Sequence, residues 1–86
     1  MEIEIRKPTD AEKEKAQGWP IWTCAPSSFD WSYSDRETCL ILEGEVTVKA
    51  KGKDYSFAAG DWVVFPKGLS CVWNVKKAVR KHYKFG

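Results

Sequence analysis

The chain has 86 residues, a net charge of +2 and an aromatic content of 14%. A chain of this length forms one domain at most, so we expect residues 1–86 to make a single domain. No stretch approaches the ~20 apolar residues that a membrane-spanning helix needs, and the first residues lack the pattern of a signal peptide. We therefore expect no membrane partner and a cytoplasmic protein, with an organellar location open if a transit peptide has been removed.

The three cysteines argue for a reducing compartment. Cys24, Cys39 and Cys71 are odd in number and have no C-x-x-C spacing. This pattern is untypical of a disulfide framework or a zinc finger. We expect three free thiols.

Charge is distributed unevenly along the chain. Residues 1–43 carry 5 Lys/Arg and 9 Asp/Glu, whereas residues 44–86 carry 9 and 3. Such basic residues either form a solvated face that keeps an edge strand from pairing with other chains, or attract nucleic acid or an acidic partner. No nucleic-acid motif accompanies them, so we expect no nucleic-acid partner. Much of the excess lies near the C-terminus, at Lys76, Lys77, Arg80, Lys81 and Lys84.

One helix is predicted near the start. Thr9 and Glu12 have the spacing of a capping box, with Pro8 just before them. Gly18 and Pro20 are typical residues at the end of a helix. The segment is short and polar, so we expect it on the surface.

The remaining sequence predicts short strands bounded by glycine, proline or paired lysines. A hairpin is expected at Glu43-Gly44-Glu45, between two of these strands. Strands at this regular spacing favour an all-β sandwich or barrel. The predicted strands cover residues 1–7, 21–24, 29–33, 38–42, 46–50, 54–57, 62–65, 70–75 and 79–85.

A pair of spaced motifs is the most informative part of the sequence. The first is E-x6-G, from Glu37 to Gly44, and the second is G-x5-P-x-G-x2-C, from Gly60 to Cys71, with fifteen residues between them. This frame resembles the cupin family, whose motifs are G-x5-H-x-H-x3-4-E-x6-G and G-x5-P-x-G-x2-H-x3-N. The resemblance implies a cupin double-stranded β-helix (a jelly-roll barrel) with one short N-terminal helix.

The whole chain also resembles small single-domain cupins of the (S)-ureidoglycine aminohydrolase type. The shared features include Trp-Pro-Ile-Trp at 19–22 and Arg-Lys-His-Tyr at 80–83. That enzyme is similar to a duplicated form of this fold and uses a manganese site. Its metal-holding residues are not matched here beyond Glu37, so the resemblance implies shared architecture and leaves the chemistry open.

The resemblance implies a pocket at the positions where cupins place their metal ligands. These positions hold Trp31, Tyr33, Glu37 and Cys71, and Trp73 shares the face of Cys71 by strand alternation. On the strand of Glu37, alternation directs Thr38, Leu40 and Leu42 to the other face.

The predicted pocket has few metal ligands. A transition-metal site needs three or four N, S or O ligands, and only Glu37 and Cys71 are clear donors. The one histidine, His82, is a third ligand if it faces inward. We predict neither a metal nor another cofactor, and assign His82 to ligand binding with Trp31, Tyr33 and Trp73.

Glu37 and Cys71 are the candidate catalytic residues. Burial of Glu37 among aromatic rings would raise its pKa and suit it to general acid–base work. Cys71 is a nucleophile only if its pKa is lowered, and an adjacent carboxylate has the opposite effect. A small residue that fills the barrel interior is the simpler interpretation of Cys71.

The predicted function is the binding of a small polar organic molecule in an aromatic-lined pocket. Two alternatives remain open: a metal-dependent enzyme that uses Glu37, Cys71 and His82, or a non-catalytic interaction module with a basic C-terminal strand. The sequence leaves open whether the chain is an enzyme. We also predict a homodimer, because so short a barrel gains core by pairing an exposed sheet that carries Leu40 and Leu42.

Overall fold

A computed structural model describes residues 2–86 and contains one short helix and seven antiparallel strands. The strands are hydrogen-bonded in the order β1-β6-β4-β7-β2, with β3 also paired to β7 and β5 also paired to β4. The all-β prediction is confirmed. The elements in chain order are β1 Glu4–Arg6, α1 Asp10–Ala16, β2 Ile21–Cys24, β3 Ser27–Ser32, β4 Glu37–Ala50, β5 Lys53–Ala58, β6 Trp62–Phe65 and β7 Ser70–Phe85.

Helix α1 begins at the predicted capping box. The Thr9 hydroxyl accepts a hydrogen bond from the backbone N–H of Glu12, and the Glu12 carboxylate accepts one from the backbone N–H of Thr9. Two orphan donors at the helix start are thereby satisfied. Arg6 binds the same carboxylate through two nitrogens, and these bonds lower the pKa of Glu12 to about 2.

The helix and the chain after it cover the outer face of the sheet. Ala16 is fully buried and packs in a small cluster with Leu40 and Trp62, which Trp19 and Leu42 complete. Leu40 and Leu42 therefore face outward as predicted, but this chain covers them itself. The observation that motivated a homodimer no longer supports it, and the oligomeric state stays a prediction.

Strands β4 and β7 are each continuous where the sequence predicts two strands. The hairpin expected at Glu43-Gly44-Glu45 is wrong, because β4 runs through it and remains paired with β7. The pairing shifts register between Ile41 and Val46. A bulge inserts residues without reversing the chain, so the turn-forming residues here bend a strand.

Gly44 is required at this bend by both conformation and space. Its φ is +101°, a region that residues with a Cβ rarely adopt. A Cβ on Gly44 would lie 2.4 Å from the Ala78 carbonyl oxygen of β7. The motif glycine thus allows two backbones to approach closely where β4 bends.

The inner faces of the bent strands meet in one core. In β4 the inward residues are odd-numbered before the bulge and even-numbered after it, as Cys39 and Val48 illustrate. Phe65 and Leu69 fill the centre with less than 2% of their surface exposed. Within residues 2–86, no helix has the length and apolar character needed to cross a membrane.

Candidate functional site

The candidate site is built around a buried lysine. Lys81 lies on β7, which is an interior strand because β4 lies on one side of it and β2 and β3 on the other. Only 3% of its surface is exposed. The prediction that grouped Lys81 with solvated basic residues is therefore wrong, whereas Lys76, Lys77, Arg80 and Lys84 are exposed as expected.

Lys81 forms an ion pair with the motif carboxylate Glu37. Its Nζ lies 3.2 Å and 3.3 Å from the two carboxylate oxygens of Glu37, which is itself 5% exposed. Nζ also donates to Cys39 Sγ at 3.4 Å. A lone buried charge is costly, so each member of the pair offsets part of the cost of burying the other.

Aromatic rings surround the ammonium group. Lys81 Nζ lies 4.8 Å from the ring centroid of Trp73 and 4.9 Å from that of Trp22, with Phe65 at 5.9 Å. Such distances allow cation–π attraction, which strengthens when the cation is removed from water. The lysine is thus held by one carboxylate and two indole faces.

A cavity of about 140 Å³ opens beside the ion pair. Both Glu37 and Lys81 contribute to its wall, and the other lining residues are aromatic. Trp31 stands partly in solvent with 47% of its surface exposed, whereas Trp73 is 2% exposed. The aromatic walls are Trp22, Phe29, Trp31, Tyr33, Trp73, Tyr83 and Phe85.

Tyr33 and Trp73 are joined by a buried hydrogen bond. The indole N–H of Trp73 donates to the Tyr33 hydroxyl at 3.1 Å, and Tyr33 stacks on Phe65 at a centroid separation of 4.8 Å. Burial, and then the nearby charge of Glu37, raise the pKa of Tyr33 well above its ordinary value. Tyr33 is therefore a neutral phenol at physiological pH.

Cys71 is buried on the inner face but does not line the cavity. Burial and then the charge of Glu37 raise its pKa, so the neutral thiol is favoured. The same causes act on Cys39, where burial raises the pKa to about 12 despite the opposing charge of Lys81. Neither thiol has the surroundings of an activated nucleophile, and all three cysteines are free.

His82 lies on the opposite face of β7 from Lys81. Its Nδ1 is 3.0 Å from the Trp19 carbonyl oxygen, and it is absent from the cavity wall. The predicted grouping of His82 with Trp31, Tyr33 and Trp73 is therefore not formed. Its contact ties β7 to the segment that follows helix α1.

The residues present do not fit the metal that cupins commonly hold. His82 cannot converge with Glu37 and Cys71, because it projects from the other face of the sheet. The two carboxylate oxygens of Glu37 are bound by an ammonium group. Among residues 2–86, no three His, Cys, Asp or Glu side chains are placed to hold a metal ion.

The curved antiparallel barrel and the motif positions define a cupin-type protein with an ion pair at its pocket. The model of the EutQ-like cupin domain matches residues 11–83, and the chain belongs to this family. The cupin prediction is confirmed. The finer resemblance to the (S)-ureidoglycine aminohydrolase type is not supported, because the family match is to the EutQ-like domain.

Several solved structures are similar to this chain in sequence and in fold. A DUF861 family protein from Thermotoga maritima is 48% identical, and the alignment covers 99% of this chain and 100% of that one with a TM-score of 0.95. A putative ethanolamine utilization protein Q from Salmonella typhimurium is 29% identical over 76% of this chain, with a TM-score of 0.70. The EutQ protein from Clostridium difficile is 22% identical over 76%, with a TM-score of 0.71.

The alignments span 53% of the Salmonella chain and 52% of the Clostridium chain, about half of each. Comparison with curated protein sequences gives no match. These relationships establish the fold and family, and the use of the pocket has to be argued from its residues.

Sequence reasoning missed Lys81 as a site residue, together with Trp22, Phe29, Tyr83 and Phe85. The available signal was alternation along β7. If Cys71, Trp73 and Val75 face inward on a continuous strand, the same parity brings Lys81 inward and directs His82 outward. That signal was lost because the lysine pair at 76–77 was interpreted as the end of a strand.

Proposed function

We propose that this protein binds a small, uncharged organic molecule with one ring and one amide-like polar group. The observation that carries the proposal is the buried Glu37–Lys81 pair in the wall of an otherwise aromatic cavity. This combination of apolar walls with a few placed polar groups is typical of small-molecule sites.

The cavity volume limits the size of the ligand. An apolar protein cavity of about 150 Å³ holds one benzene molecule. The cavity here, at about 140 Å³, is of that size. Sites for drug-sized ligands begin at roughly 300 Å³. A single ring with a short substituent therefore fits in the space beside the ion pair.

The charges of the site favour a neutral ligand. Glu37 offers acceptor oxygens and Lys81 offers N–H donors, and the pair has no net charge. A carboxylate ligand would be attracted by Lys81 but repelled by Glu37. A protonated amine would be attracted by Glu37 but repelled by Lys81. A primary amide presents one carbonyl acceptor and two N–H donors, which complement both members.

Benzamide is a suitable probe, and the tryptophans supply an internal control. Trp22, Trp31 and Trp73 line the cavity, whereas Trp19 and Trp62 pack on the outer face. We expect benzamide to shift the indole N–H resonances of the first three in ¹H–¹⁵N spectra and to leave the other two in place. Benzoate and benzylamine, matched in size, should bind more weakly because each carries a net charge.

Shifts of Trp19 and Trp62 alone, or no shift at millimolar benzamide, would contradict the proposal. Equal affinity for benzamide, benzoate and benzylamine would leave an apolar cavity but remove the role of the ion pair.

A further inference from the structure

We propose that Lys81 forms a covalent imine with a small, uncharged aldehyde that occupies the aromatic cavity. This inference rests on the proposed function, since it takes the same cavity and names a class of ligand that reacts there. It assigns a nucleophile to the site, where neither Cys71 nor Cys39 is suited to that role.

The position of the Lys81 amine favours a reaction in the cavity. Lys81 is the only lysine among residues 2–86 that is buried, and it contributes to the cavity wall. Amines that react with carbonyl compounds in proteins are typically lysines held in apolar pockets. A carbonyl carbon of a ligand in the cavity would therefore lie close to Nζ.

A proton acceptor, Glu37, is in contact with the Lys81 amine. An ammonium group must lose a proton before nitrogen can attack, and a Glu37 oxygen lies 3.2 Å from Nζ. That distance is at the limit of direct proton transfer along a hydrogen bond. Within the pair, transfer from Lys81 to Glu37 produces a neutral amine and a neutral carboxylic acid.

The reaction balances with these two residues alone. The neutral Nζ adds to the carbonyl carbon, and the carbonyl oxygen takes a proton from the nitrogen to give a carbinolamine. Glu37 then returns its proton to the carbinolamine hydroxyl, which leaves as water while the nitrogen lone pair forms the C=N bond. The product is a protonated imine beside a carboxylate, and no oxidant or reductant takes part.

The surroundings of Lys81 suit this product. The protonated imine keeps one positive charge at the same nitrogen, so the Glu37 contact and the indole faces of Trp22 and Trp73 stabilise it as they stabilise the ammonium group. An oxo acid would add a carboxylate close to Glu37. An uncharged aldehyde adds none, and an aromatic one also matches the cavity walls.

The test is reductive trapping of the wild-type chain. Benzaldehyde is added at low concentration with sodium cyanoborohydride, which reduces an imine to a stable benzylamine. Peptide mass mapping then measures the rate of benzylation at each lysine. We expect Lys81 to be labelled ahead of every exposed lysine, although it is the least accessible to solvent.

Two variants sharpen the measurement. Glu37→Gln removes the proton acceptor and should slow labelling of residue 81 by about 100-fold, the low end of the effect of general acid–base groups. Lys76→Arg, at an exposed position of β7, should leave labelling of Lys81 unchanged. The wild-type map is decisive by itself if Glu37→Gln does not fold.

Labelling of the exposed lysines with Lys81 unmodified would overturn the inference. If benzamide still shifts the cavity tryptophans in that case, the binding function stands and only the covalent step is removed. If benzamide also fails, both proposals fall. Labelling of Lys81 that is unaffected by Glu37→Gln in a folded variant would overturn the assigned role of Glu37.

Discussion

The two halves of the β4–β7 ladder, on either side of the bend at Gly44, differ in the side chains of their inner faces: one half carries charged groups and the other is apolar. In the charged half, the pairs Cys39–Tyr83 and Ile41–Lys81 lie next to Glu37 and the cavity. In the apolar half, the pairs Val46–Val75 and Val48–Trp73 are buried in the core, and only Trp73 of these four also reaches the cavity wall. The same two strands therefore build a stable core at one end and a polar site at the other.

The difference shows how the barrel tolerates a buried ion pair. A buried pair contributes little net stability compared with an apolar replacement, because both ions lose their hydration. Burial of apolar side chains in the other half supplies the stability that the charged half does not. Conversion of the charged half into a second apolar core should therefore preserve the fold and remove the site.

Gly44→Ala should have the largest effect on this arrangement, because it acts at the bend between the halves. Positive φ and the approach of the Ala78 oxygen together predict a loss of about 4 kcal/mol in the free energy of unfolding. Denaturant unfolding followed by tryptophan fluorescence measures it. Gly52→Ala is the control: its φ is +77° but nothing lies within 4 Å of the added Cβ, so about 1 kcal/mol is expected. Equal losses would refute the close approach of the strands.

Lys81→Met should cause the next largest loss in the free energy of unfolding, since it leaves the Glu37 carboxylate buried without its partner. We expect a loss of about 3 kcal/mol, at the low end for a broken buried pair. The double variant Glu37→Gln/Lys81→Met should recover most of this loss, because no net charge is then buried. A double variant that is no more stable than Lys81→Met would show that the pair does not act as a unit.

Tyr33→Phe should have a smaller effect. It removes the acceptor of the buried Trp73 indole N–H and leaves that donor unsatisfied, which costs about 1–2 kcal/mol. Tyr55→Phe, at a half-buried tyrosine of β5, is the matched control and should cost less. If the two variants are equally stable, the hydrogen bond contributes nothing measurable.

The dependence of stability on alkaline pH reports on Cys39 in the charged half. Burial raises its pKa from 9.0 to about 12, so the unfolded chain releases the thiol proton before the folded one. Stability present below pH 9 is therefore lost as the pH rises from 9 to 12. Cys39→Ala should show a shallower decline over this interval under reducing conditions. An unchanged slope would contradict the assignment.

The predictability of each half follows from how local its determinants are. The capping box at Thr9 depends on neighbours in sequence and is correctly predicted, whereas the inward position of Glu37 follows from the resemblance to the cupin motif. The continuity of β4 was not, because Gly44 serves a turn and a bulge equally well. The role of Lys81 was missed because its partner is 44 residues away, and the lysine pair at 76–77 interrupts the alternation that directs Lys81 inward.

We infer that the Glu37–Lys81 pair makes the aromatic cavity a ligand site. Calorimetric titration of benzamide into the wild type and into Glu37→Gln/Lys81→Met tests it most directly, because the double variant keeps all the aromatic residues of the cavity wall. We predict binding to the wild type and at least a tenfold weaker affinity for the variant, which corresponds to about 1.4 kcal/mol for the polar contacts. Equal affinity for the two proteins would contradict the claim.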